Sequence, residues 1–141
     1  MFLNLLNERQ KIAFATLATR ITVADNKVYP QEFSLMNILH AEMGWDIKAG
    51  SRDLKAPPDY AAFDTARSKM IALIELHVVA ISESILPPEE ITILEEAREA
   101  LGFSPDQASC FQEWARRITP LMLHAWHMID EERPLPLPDT E

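Results

Sequence analysis

Between Met70 and Ile81 the chain reads MIALIELHVVAI, apolar on nearly every side if wound as a helix and interrupted only by Glu75 and His77. A helix apolar all round must be buried on all sides. It is also too short and too polar for a membrane span, which needs roughly 18 to 20 uninterrupted apolar residues. The segment therefore predicts a central helix inside a helical domain, running from about 59 to 83 with Asp59 as its cap. The rest of the chain has to supply amphipathic helices to cover it. No strand-like alternation competes, and glycine occurs only three times in 141 residues.

The covering helices are legible. Phe14, Leu17, Ala18 and Ile21 fall at i, i+3, i+4 and i+7, one face of a helix from about Leu5 or Glu8 to Ala24. Asp25-Asn26-Lys27 is a polar break. Pro30 with Gln31 and Glu32 opens a second helix, striped by Leu35, Met36, Leu39 and Met43 and closed at Gly44. Residues 46–58 (DIKAGSRDLKAPP) read as a surface loop. After the central helix, Pro87-Pro88 opens a fourth that ends at Gly102. Ser104-Pro105-Asp106-Gln107 is a capping box for a fifth, to about Ile118. Thr119-Pro120 recaps or kinks the chain before a sixth helix to about Glu132. The expectation is an all-α domain of six or seven helices over residues 1–132, with a flexible proline-rich tail, RPLPLPDTE, over 133–141.

The two halves resemble each other. A shift of 58 carries Leu35, Met36, Leu39 and Met43 onto Ile93, Leu94, Ala97 and Leu101, Glu32 onto Glu90, Gly44 onto Gly102 and Trp45 onto Phe103. A shift of 57 carries Phe14, Leu17, Ile21 and Val23 onto Ile71, Ile74, Val78 and Ala80, the turns differing by one residue. Two related helical hairpins, each unable to bury its own apolar face, would clasp and bring their acidic elbows to one end.

The segment ATRITVADNKVYPQEFSLMNILHAEMGW resembles the TerB-like family of tellurite-resistance proteins in Ala24, Asp25, Val28, Glu32 and Gly44. Asn26 stands where the family has glycine, and asparagine also tolerates a left-handed turn. The second segment, VVAISESILPPEEITILEEAREALGF, keeps Glu89, Glu90 and Gly102 but has Ser82 at the aspartate position. The resemblance covers roughly residues 8–128. It implies a non-enzymatic stress-response domain whose inter-helix turns hold a divalent cation (calcium, magnesium, manganese or zinc) through Asp25, Glu32 and Glu90.

Read on their own, Asp25 and Glu32 are hard oxygen donors, and equally a turn residue and a helix-start residue. His124, His127 and Glu131, at i, i+3 and i+7, offer an alternative transition-metal set and a third reading, a helical metalloenzyme. Glu75, costly to bury alone, is expected to meet Arg20 or Arg9. Cys110 is expected to be a buried structural thiol. Trp45, Trp114, Trp126, Phe103 and Phe111 are expected to anchor the core.

Net charge is −9, all of it from residues 51–141, which hold 8 basic against 17 acidic residues. Such a field disfavours nucleic acid, anionic lipid and a small oxyanion, and favours cations or basic partners. Glu89, Glu95, Glu96 and Glu99 read as a solvated face or, more sharply, a docking strip. With the PLPLP tail they give the competing reading, a metal-free protein-interaction module. There is no phosphate loop, nucleophile elbow or CxxC pair. One cysteine fits a reducing cytoplasm, and the N-terminus lacks signal-peptide character.

Overall fold

The computed structural model describes residues 1–24, 30–81 and 87–137, the stretch 30–33 as backbone only. Among these residues every regular element is helical: α1 (Glu8–Val23), α2 (Pro30–Met43), α3 (Ser51–Lys55), α4 (Ala66–Ile81), α5 (Pro88–Leu101) and α6 (Pro105–Glu131), with short 3-10 turns at Leu3–Leu5 and Tyr60–Ala62. No helix is long and apolar enough to cross a membrane among the described residues.

The central helix is where the apolar run requires it. In α4, Ile71, Ala72, Leu73, Leu76, Val78, Val79 and Ala80 are all buried. Helices α1, α5 and α6 pack around it. Its start differs from expectation. The chain first makes the turn at Tyr60–Ala62, sinks Phe63 into the core, and enters α4 only at Ala66. The cap is Thr65, whose Oγ1 accepts from the Ser68 amide at 3.0 Å while Ser68 Oγ accepts from the Thr65 amide at 3.1 Å. Asp59 is instead held by Arg9, which donates from Nε and Nη2 at 2.9 Å each. Asn7 and Gln10 cap α1 reciprocally, as Ser104 and Gln107 cap α6.

The segment 46–58 contains the short helix α3. Its last turn is tied to α1 by the Arg20 guanidinium, which donates to the carbonyls of Asp53, Leu54 and Ala56. Arg20→Ala is expected to leave the melting temperature within a few degrees while amide exchange across 51–56 accelerates by about tenfold, a local loosening. Unchanged exchange there would contradict this tether.

The fifth and sixth expected helices are one, 27 residues and about 40 Å long. Pro120 removes one helical N–H, but it lies on the exposed side, where water can serve the carbonyl it leaves behind. Ala115 and Thr119 are buried on the opposite side, so packing carries the helix through.

The repeat is visible in the helix bounds. Adding 58 to the ends of α1 and α2 gives the ends of α4 and α5, so six residues separate the helices in both halves and the offset of 57 for the first helix is corrected to 58. Gly44 and Gly102 both close their helices at positive φ, +106° and +82°. The halves are used differently, however. Helix α5 packs on α4, whereas the main partners of α2 among the described residues are α6 and the N-terminal turn.

Candidate functional site

Of the three carboxylates that the TerB resemblance puts forward, Asp25 lies outside the described residues, as do both elbows, 25–29 and 82–86. Glu32 is described as backbone alone. Glu90 is fully described, and its position is unusual. It sits in the first turn of α5, yet it is 1% exposed. With Leu94, Ala97 and Leu101 it forms one buried stripe at i, i+4, i+7 and i+11, so the core-facing edge of α5 begins with a carboxylate. Burial of a carboxylate is costly unless a cation, donor or proton answers it. Its neighbour Glu89 and the outward Glu95, Glu96 and Glu99 are exposed, a solvated face as composition suggests.

The alternative set does not assemble. His124 Nε2 donates to the Leu135 carbonyl at 3.1 Å, His127 is exposed, and Glu131 pairs with Arg133 at 3.1 Å. Among the described residues no three His, Cys, Asp or Glu side chains are grouped to hold a metal ion. The His124 contact also brings the start of the tail, through Leu135, back onto α6 instead of leaving it loose.

Glu75 is 0% exposed, but neither arginine reaches it. Arg9 is committed to Asp59 and Arg20 to the end of α3. The Oε1 of Glu75 accepts instead from the α-amine of Met1 at 2.9 Å and the amide of Phe2 at 3.1 Å. Glu42 of α2 reaches the same α-amine at 2.7 Å. Leu3 and Leu6 of the apolar start MFLNLL are buried on the core, while Met1, Phe2 and Leu5 stay exposed. His77, also on α4, has no partner for Nε2 among the described residues, and burial lowers its pKa from 6.5 to about 4, against a smaller opposing pull from Glu95.

Two further expectations are corrected. Trp45 is 61% exposed and stacks on His40 at 5.4 Å, while Trp114 and Trp126 are half-buried; the large buried anchors are Phe14 and Phe63. Phe103 and Phe111, edge to face at 5.2 Å, only flank the core. Cys110 is exposed, beside Trp114 and Arg117 on α6. Native protein is expected to show one thiol reacting with a disulfide reagent within minutes, without denaturant. Reaction only after unfolding would contradict this placement.

A surface depression of about 490 Å³ lies between α1 and residues 53–59, with Ile12, Ala13 and Pro57 in its wall. Its Arg9 and Asp59 satisfy each other. No family model matches the chain, and comparisons with curated proteins and with solved structures give no match.

Proposed function

We propose that this chain is a TerB-like, non-enzymatic stress-response domain that binds a divalent cation between its two acidic inter-helix turns, through Asp25, Glu32 and Glu90. The burial of Glu90 at 1% exposure carries the reading. A carboxylate used only to favour a helix N-terminus does its work at the surface. The place of Glu90 on the core stripe of α5, with Leu94, Ala97 and Leu101, supports reading it as more than a helix-start residue. The repeat supports it, because the 58-residue offset makes Glu32 the counterpart of Glu90. Bound there, a hard cation would neutralise carboxylates that otherwise repel one another. Tellurite itself is an anion facing a chain of net charge −9, so any part in tellurite resistance runs through protein partners.

Calorimetric titration of metal-stripped protein with calcium, magnesium, manganese and zinc tests the site. One saturable event that raises the melting temperature is expected, weakened at least tenfold in Asp25→Ala and in Glu90→Gln. No heat and no thermal shift with any of the four would remove the metal from the account.

A metal-free protein-interaction module is the second reading. Leu121 and Ile129, 46% and 69% exposed along the outer half of α6, favour it, as does the acidic face of α5. Partner capture that is indifferent to metal but lost with residues 134–141 or with Glu95 and Glu96 neutralised would select it.

A further inference from the structure

Helix α6 runs about three turns beyond its last buried residue, Thr119, and carries an apolar seam with it. Phe111, Trp114, Ile118, Leu121, Ala125 and Met128 follow one another at alternating steps of three and four residues. That is the spacing with which coiled-coil helices face a partner. Phe111, Trp114 and Ile118 pack against the core of their own molecule. The seam then leaves the core. Leu121 is 46% exposed, Ala125 is exposed and Met128 is half-buried, with Ile129, 69% exposed, at their side. Arg117 and Glu131, both largely in solvent, flank the seam on one edge, with the half-buried His124 between them.

We propose that this seam joins two copies of the chain by antiparallel pairing of their α6 helices about a two-fold axis near Leu123. Such an interface must match itself when turned end for end, and the seam does so in two respects. In packing, Leu121 falls opposite Ala125 of the second copy, a large residue over a small one, and Ile118 falls opposite Met128. In charge, the same axis sets Arg117 of each copy beside Glu131 of the other, so the ion pair forms twice, with His124 facing its counterpart between them. A parallel pairing would leave Arg117 and Glu131 about 20 Å apart along the helix. Both groups are free to be redirected. Arg117 is held only by Glu113 and Glu131 by Arg133, exposed pairs that contribute little. The pairing involves neither acidic turn, so it does not depend on whether a cation binds there.

The test is sedimentation of the full chain from micromolar to near-millimolar concentration. Physiological salt screens the repulsion between two copies of net charge −9 beyond about 8 Å. A reversible monomer–dimer equilibrium is expected. Leu121→Glu and Ala125→Glu, each at an exposed position that the monomer does not pack, should each weaken the dimer at least about tenfold while the monomer stays folded. Arg117→Glu sets like charges opposite each other twice and should weaken it by about tenfold or more. Combining Arg117→Glu with Glu131→Arg restores opposite charges across the axis and should recover most of the affinity. A chain that stays monomeric throughout, a dimer indifferent to both Leu121→Glu and Ala125→Glu, or a charge swap that fails to restore pairing overturns the proposal.

Discussion

Leu76→Ala is expected to destabilise the protein by about 3 kcal/mol, lowering the melting temperature by roughly 10 °C. Leu76 is 0% exposed on α4, the helix against which α1, α5 and α6 all pack. Removing its branched end deletes buried apolar surface and leaves a void lined by helices that cannot all close in together, since each is also held by the others. The same change at Leu121, 46% exposed on α6, should stay within about 1 kcal/mol. Denaturant unfolding of both variants measures the contrast. Equal effects would mean that α4 is not the hub.

Acidification is expected to remove about 3 kcal/mol of stability through His77 alone. Its pKa falls from 6.5 to about 4 on folding because burial penalises the charged ring. Between those values the unfolded chain binds the proton and the folded chain does not. The stability is therefore fully present above pH 6.5 and is lost as pH falls toward 4. Glu42 acts in the opposite sense, because a carboxyl whose pKa rises on folding favours the folded state as pH falls. A bare pH profile mixes the two. The difference between wild type and His77→Leu isolates the histidine, and that difference should change by about 3 kcal/mol between pH 7 and pH 4. A difference independent of pH would contradict the buried, neutral ring.

The helices were legible wherever a periodic stripe met a punctuating residue. Pro30 with Gly44, and Pro88 with Gly102, mark the observed ends of α2 and α5 closely. The start of α4 was missed because Asp59 is a good cap by composition, yet Arg9, fifty residues earlier, claims its carboxylate. The local Thr65–Ser68 cap is weaker on paper, and it prevails because Phe63 must reach the core first. Pro120 looked like a boundary since local propensity cannot register that Ala115 and Thr119 are clamped on the buried side. The candidate site was legible only in part. The TerB resemblance put Glu90 forward but could not tell a solvated helix start from a buried one. The pairing of Glu75 with the α-amine, 74 residues away, had no local signal that distinguished it from an arginine partner. Tryptophan and cysteine were placed in the core by their usual habits, and Trp45 and Cys110 depart from those habits at the surface.

Manganese titration followed by amide NMR tests most directly whether a cation is held between the acidic turns. Paramagnetic broadening should begin at substoichiometric metal and be confined to residues around 25–32 and 87–91, with Glu90→Gln abolishing it. Broadening that first appears at His124 and His127, or that spreads evenly over the exposed glutamates of α5, would contradict the shared-turn site.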